Sequence, residues 1–434
     1  MTIQPMRSNA RILAASIVGT AVEYYDFYLY GYAAALVFGP LFFPVKSTAA
    51  QTLLSFMSFG LAFVARPIGA VVFGHFGDRV GRKATLVASL LLMGCCTFAI
   101  AFLPTYATAG YAAPVLLCLA RFGQGFGLGG EWAGAALLSV EYAPKGWDCR
   151  FGMMPAVGAA LGNVTATAVF LLMGLILSEH QFVAWGWRIP FLASAILIAI
   201  GMWVRLKIAE TPEFREAREK KRPPRVPIVR LFAEQPWAVL AGASSVVCGF
   251  ALVYMAGPFA LAQGTGPIGY DRDTFLLVQL AALVFALPLV IIFAFAADRS
   301  TKTRYLLPAT LAVVPIGFAL GPGLGSGSLW TAALTLFAFD ACWAVINGSS
   351  SAWLCRLYPV NLRYSGFAFA FNTGGLIGGA VIPIVAQMVS SAGGLNYVGL
   401  ILSATALLSF AAIAYSRQSS EGTPPGLPEP LPAG

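Results

Sequence analysis

Apolar residues run along this chain in stretches of about 20 or more, interrupted by short clusters of glycine, proline and charged residues. The pattern predicts twelve hydrophobic helices. In the first half they lie near 12 to 38, 50 to 75, 84 to 103, 110 to 140, 151 to 178 and 185 to 206. In the second half they lie near 237 to 262, 273 to 297, 304 to 321, 327 to 354, 361 to 391 and 395 to 415. Each is long enough to cross a bilayer, and the longer ones imply tilt or extension beyond the lipid. The first run follows Arg7 and Arg11 as a signal peptide would, but it continues past Glu23 and Asp26 to about Pro40. That is too long for a signal core and has no small-residue cleavage site, so the run is expected to be retained as the first helix.

Composition agrees with lipid as the solvent. Of 434 residues 58% are apolar and 10% charged, and the mean hydropathy is +0.77. A soluble exterior cannot be built from that mixture, whereas a bilayer accepts an apolar one. The class expected is an all-α membrane protein. Its net charge of +9 does not point to nucleic acid, because the basic residues sit in short gaps between apolar runs and form no single patch. Most of them fall in the N-terminus, the even-to-odd gaps and the C-terminus. Lys46 and Arg272 lie on the other side, and Arg66, Arg121 and Arg188 are embedded. Both termini are therefore expected in the cytoplasm of a bacterial cell, in a multi-pass inner-membrane protein. The seven cysteines show neither disulfide nor metal spacing, and a structural role is expected for them.

The gap at 207–236, rich in Lys and Arg and broken by Pro223, Pro224 and Pro227, reads as a cytoplasmic linker between two six-helix bundles, 1–206 and 237–417. The tail 418–434 is expected to be disordered. The halves repeat: Gly74-His75-Phe76-Gly77-Asp78-Arg79-Val80-Gly81-Arg82-Lys83 follows the second helix, and Asp298-Arg299 with Lys302 and Arg304 follows the eighth, 220 positions on. Pro144 to Arg150 and Pro359 to Arg363 form a second echo. A parallel six-plus-six duplication is an architecture in which substrate binds near the midplane, between halves that rock about it.

The loop from Gly74 to Lys83 resembles the hallmark loop of the major facilitator superfamily. That resemblance implies a gating role for Gly74, Gly77, Asp78, Arg79, Gly81, Arg82 and Lys83, and for Asp298 and Arg299 in the second copy. Further stretches resemble its metabolite:proton symporter family. They are Glu23-Tyr24-Tyr25-Asp26-Phe27-Tyr28, Arg66-Pro67-Ile68-Gly69, Arg121 through Gln124-Gly125 to Gly129-Gly130-Glu131-Trp132, Trp185 to Phe191, Glu210 to Phe214 and Arg363-Tyr364-Ser365-Gly366. Shikimate and other organic-acid permeases are most similar, through Tyr32 to Phe38, Phe73 to Arg82 and Glu131 to Glu141. The resemblance implies a twelve-helix major facilitator fold, proton-coupled uptake of a small organic acid, and a cavity lined by the first and fourth helices. It spans most of the chain and is looser after about residue 240.

Ionisable residues inside helices sharpen this reading, since each costs about 2.5–3.5 kcal/mol in the bilayer centre and must face a cavity or a partner. Asp26 has Glu23 and Tyr30 one turn to either side on its face. Protonation of Asp26, paired with Arg121, would free the arginine and change the charge an anionic substrate feels. His75 and His180 lie in loops, so carboxylates must carry the proton. In helix four, Arg121, Gln124 and Glu131 form one polar stripe, with Arg121 and Glu131 about 15 Å apart along the axis. The neighbouring glycines read as close helix packing. Asp26, Arg121 and Glu131 are the proton-coupling candidates. Glu23, Tyr24, Tyr30, Arg121, Gln124, Tyr254, Asp340, Trp343, Asn347 and Asn372 are the substrate candidates. Arg66 joins the gating group, towards the cytoplasmic third of its helix.

No metal site or cofactor is implied, because a Walker loop and a metal-ligand cluster are both missing, and the proton gradient supplies the energy. An enzyme is not expected, for want of a nucleophile–base constellation. The expected partners are protons, a small organic acid and lipid, with no nucleic acid, and the chain is expected to be a monomer. The alternatives are a proton-driven exporter of drugs or metabolites and a symporter of a zwitterion such as betaine or proline. Against export, Met153 to Gly158 lacks the full Gly-Pro-Gly-Gly pattern of antiporters.

Overall fold

The computed structural model describes residues 10–80, 82–129, 131–207, 227–360 and 362–417. Twelve helical spans order the chain. The first, α1, runs over Ala10–Ala33 and continues through a π-helical turn, Ala34–Phe38, into Gly39–Phe42. Then come α2 (Thr48–Val80), α3 (Arg82–Ile100), α4 (Ala112–Leu128, resumed at Glu131–Glu141), α5 (Asp148–Ile176) and α6 (Arg188–Lys207). The second set is α7 (Pro236–Ile268), α8 (Arg272–Asp298), α9 (Thr303–Leu324), α10 (Leu329–Arg356), α11 (Arg363–Gly393) and α12 (Leu395–Tyr415). No strand occurs among the described residues.

Eight of these spans are long and apolar enough to cross a membrane, and a ninth joins Glu179–Gly186 to α6 across a 50° bend. The other three are α1, α3 and α4. The acids and tyrosines of α1 dilute its apolar character, and α3 and α4 each contribute a shorter apolar stretch, Val87–Ile100 and Ala112–Leu128. Large apolar side chains such as Val71, Leu119, Ile196 and Leu334 project from the outside of the bundle, as lipid rather than water would require.

The packing repeats with a shift of six helices. α1 packs on α5 and α7 on α11; α2 on α4 and α8 on α10; α3 on α6 and α9 on α12. Glycines make two of these contacts equivalent. A Cβ on Gly158 or Gly162 would lie 2.6 Å from the Ile17 or Ala21 carbonyl of α1, and one on Gly374 or Gly378 would lie 2.5 or 2.3 Å from the Ala243 or Val247 carbonyl of α7. Helix backbones touch in both halves because no side chain separates them. The helix-four glycines do the same: a Cβ on Gly125 or Gly129 would stand 2.1 Å from the Ala62 or Arg66 carbonyl of α2.

The halves meet along α5 with α8 and α2 with α11. Since the spans alternate in direction, one end of the bundle carries the start of α1 and the end of α12. Of the expected linker, Pro227–Glu234 is a short helix, while residues 208–226 and the tail 418–434 lie outside the described residues.

Candidate functional site

Asp26 and Arg121 are 1% and 0% exposed, so neither faces lipid. They form no direct ion pair, which corrects the pairing expected from the sequence. A chain of hydrogen bonds joins them instead. The Thr97 hydroxyl donates to Asp26 Oδ2 at 2.9 Å, Gln124 Nε2 donates to Thr97 Oγ1 at 2.7 Å, and Arg121 Nη1 donates to Gln124 Oε1 at 3.0 Å. Asp26 Oδ1 and Arg121 Nη2 are buried and unsatisfied among the described residues.

The reason the arginine does not reach the carboxylate is local. Gln124 follows Arg121 by three residues on the same face of α4 and takes its Nη1, while Nε donates to the Phe59 carbonyl of α2 at 3.2 Å. The guanidinium lies 4.1 Å from the Phe27 ring centroid, 4.3 Å from Tyr30 and 4.5 Å from Phe59. Cation–π contacts of about 2 kcal/mol when desolvated hold it there. Sequence reasoning missed Thr97. A hydroxyl in mid-helix usually bonds back to its own helix, and the Met93 carbonyl, 3.0 Å from Thr97 Oγ1, is the alternative acceptor for its single proton.

Arg66, grouped above with the gating loop, is 2% exposed and does not reach towards the helix end. Its guanidinium lies 4.3 Å from the Phe27 centroid and 4.6 Å from that of Phe63. Phe27 is thus shared by two arginines. The Tyr24 and Tyr254 hydroxyls lie near Arg66 without meeting hydrogen-bond geometry.

These tyrosines form one wall of the main cavity, whose empty space out to its open mouth is about 610 Å³. Tyr24, Tyr254, Trp343 and Asn347, four of the expected substrate residues, line it. Tyr28 and Trp132, named in the sequence only as part of the family-resembling stretches, also line it, as do Phe250, Ser350 and Phe371, which sequence reasoning did not single out. Trp132 of α4 stacks on Phe371 of α11 at 4.9 Å and 10°, so the two halves touch through aromatic rings. Trp132 follows the polar stripe in the sequence and was the available signal. The lining lies in the half of the bundle nearer the chain ends. Towards the other end α1 and α7 close together, and a Cβ on Gly31 would meet Pro258 at 2.8 Å.

Other expected substrate residues lie elsewhere. Tyr30 bonds Ser58 at 2.8 Å behind Arg121, and Arg121 and Gln124 belong to the buried chain. Glu23 is buried and partnered. Asn372 donates to the carbonyls of Ala368 at 2.9 Å and Gly129 at 3.3 Å, tying α11 to α4. Asp340 lines a smaller adjoining pocket. The side chains of Glu131, Asp78, Arg79, Arg82 and Lys83 lie outside the described residues, as does Gly81; Gly74 and Gly77 fall within α2.

The second copy of the Gly74–Lys83 loop joins the halves. Asp298 accepts from the Cys149 and Arg150 amides at 2.8 and 3.1 Å and pairs with Arg150 Nε at 3.2 Å. Asp148 pairs with Lys302 at 3.0 Å and with Arg356. Arg299 is also partnered. At the opposite end Arg272 pairs with Glu179 at 2.6 Å and lies 4.2 Å from the Phe182 centroid. Beside it, Asp271 caps α8 by accepting from the Thr274 amide and hydroxyl, and these bonds hold its carboxyl below the usual range.

Comparison with known proteins agrees with this architecture. The sequence matches the Major Facilitator Superfamily over residues 16–383. It is 39% identical to the inner membrane metabolite transport protein YhjE of Escherichia coli K12 over 96% of both chains. It is 35% identical to the shikimate transporter of the same organism over 93% of both. In fold it is similar to the proton:xylose symporter XylE, with a TM-score of 0.76 at 14% identity over 93% of this chain and 95% of that one. The chain belongs to the major facilitator superfamily and is a membrane transporter of metabolites, not an enzyme.

Proposed function

We propose that the chain is a proton-coupled symporter of a small organic acid, working by alternating access in a bacterial inner membrane with both termini cytoplasmic. The observation that carries this reading is the buried chain from Asp26 through Thr97 and Gln124 to Arg121. A carboxylate in that position without a direct cation is costly when charged. Protonation removes the charge and weakens the acceptor that Thr97 serves. Thr97 then turns to Met93, Gln124 loses its fixed orientation, and Arg121 gains freedom.

Phe27 and Tyr24 connect this event to the cavity, since Phe27 lies under both arginines and Tyr24 lines the wall beside Arg66. Two guanidinium groups within one residue layer of the cavity favour an anionic substrate over a neutral one. The aromatic lining suits the apolar faces of a cyclic acid such as shikimate. Proton and substrate bind together from outside, their joint binding favours closure, and both leave to the cytoplasm. Differential affinity for the two states drives the shift.

Purified chain in proteoliposomes with an imposed pH gradient tests this. Uptake of labelled shikimate or a dicarboxylate, driven by external acid and abolished by a protonophore, is the expected result. Proton-driven efflux instead indicates an exporter, and uptake of betaine or proline with indifference to acids indicates a zwitterion carrier.

A further inference from the structure

Asp340 is 4% exposed and has no hydrogen-bond or ion-pair partner among the described residues. It lines a small, partly open pocket with Tyr32, Asn163, Gln279 and the α7 segment at Ala256 and Gly257. No Lys, Arg or His is in that lining. Val253 lines both this pocket and the main cavity, so the two adjoin.

The polar groups around it are already oriented. The Tyr32 hydroxyl donates to Asn163 Oδ1 at 2.8 Å and accepts from Thr167 at 2.8 Å. Gln279 Nε2 donates to the carbonyls of Ala256 at 2.7 Å and Gly257 at 2.9 Å. Both carbonyls sit in a π-helical turn, Met255–Phe259, that contains Pro258. That pair of bonds fixes the Gln279 amide, whose Oε1 is buried and receives no donor. Val253 and Leu283 complete the lining, and the Gln279 N–H groups are already taken by the Ala256 and Gly257 carbonyls.

A carboxylate, an unsatisfied amide oxygen, a phenolic oxygen and the second lone pairs of the Ala256 and Gly257 carbonyls are ligands for a hard cation. One carboxylate balances one positive charge, which favours a monovalent over a divalent ion. Coupling-ion sites between transporter repeats use irregular helix carbonyls in this way. We propose that Asp340, Gln279 and Tyr32 form a binding site for one sodium ion, separate from the Asp26 chain and set between α1 and α5 of the first half and α8 and α10 of the second. The bound ion draws the halves together one helical turn from Tyr28 and Trp343 of the cavity wall.

The test is thermal unfolding of the purified full chain in detergent at about pH 8, where protons compete little with a carboxylate, with NaCl replacing choline chloride at constant ionic strength. An ion that binds only the folded state raises Tm saturably. The expected result is such a rise with sodium, a requirement for about tenfold more potassium, and loss of the rise in Asp340→Asn. If Asp340→Asn is not recovered folded, binding of radioactive sodium to the wild-type chain, saturable and displaced by lithium but not choline, decides the question. No sodium-specific rise in the wild type, or an equal rise in Asp340→Asn, overturns the site. The readout is ion binding, so it stands or falls independently of the substrate and of the role given to Asp26.

Discussion

The two halves share a packing plan and differ in what they bury within it. In the first half an acid, a threonine, an amide and an arginine form a continuous hydrogen-bonded chain, with a second arginine beside it. In the second half Asp340 has no ion-pair partner among the described residues and shares its pocket with the Gln279 amide and with Tyr32 and Asn163 of the first half. Duplication accounts for the similarity of backbone, and divergence of polar residues accounts for the asymmetry. An acid linked to a guanidinium, with a second guanidinium beside it, suits a proton switch that also senses anions, whereas a lone acid in the other half suits capture of a cation.

The shared plan is open to the harshest test. Gly162→Val and Gly378→Val each force a side chain into a facing helix backbone, at 2.6 and 2.3 Å from its carbonyl. Overpacking costs about 3 kcal/mol or more where backbone cannot yield, so both are expected to lose monodisperse protein in size-exclusion chromatography. Loss in one half alone breaks the packing equivalence.

The chemical asymmetry is tested by paired neutralisation. Asp26→Asn is expected to reduce concentrative uptake by about a hundredfold, equivalent to about 2.7 kcal/mol, while substrate exchange at equal pH persists. Asp340→Asn is expected to lose the sodium response instead. Interchanged phenotypes contradict the division of roles.

A smaller effect sharpens the first-half chain. Thr97→Val keeps the shape but removes the group between Asp26 and Gln124, leaving buried polar atoms unpaired at about 1–3 kcal/mol. Proton-driven uptake is expected to fall about tenfold with exchange less affected. Equal loss of both activities indicates a packing role only. The smallest effect is expected at the Arg272–Glu179 pair: Glu179 is 75% exposed there, so Glu179→Gln is expected to change stability by about 1 kcal/mol or less, read as a small shift in Tm.

Much of the fold is legible in the sequence because a membrane helix announces itself by length and apolarity alone. The twelve spans, the repeat of the Asp78 loop at Asp298 and the small-residue packing of helix four follow from local patterns. The candidate site is less legible. Periodicity identifies Asp26, Arg121 and Gln124 as buried and places the last two on one face. It cannot say that Thr97, from a helix without charged neighbours, stands between them. Nor can it distinguish cavity aromatics such as Trp132 and Phe371 from packing aromatics, since both look alike in an apolar run. The surroundings of Arg66 are hidden for a related reason: position along a helix suggests depth, but its contact with Phe27 depends on the neighbouring helix.

Proton movement itself is the most direct test of the central claim. In proteoliposomes that enclose a pH-sensitive dye, with no imposed gradient, addition of an organic-acid substrate is expected to acidify the lumen in wild type. Asp26→Asn is expected to move substrate down its gradient without a pH change. Acidification of equal size per substrate in Asp26→Asn contradicts the account.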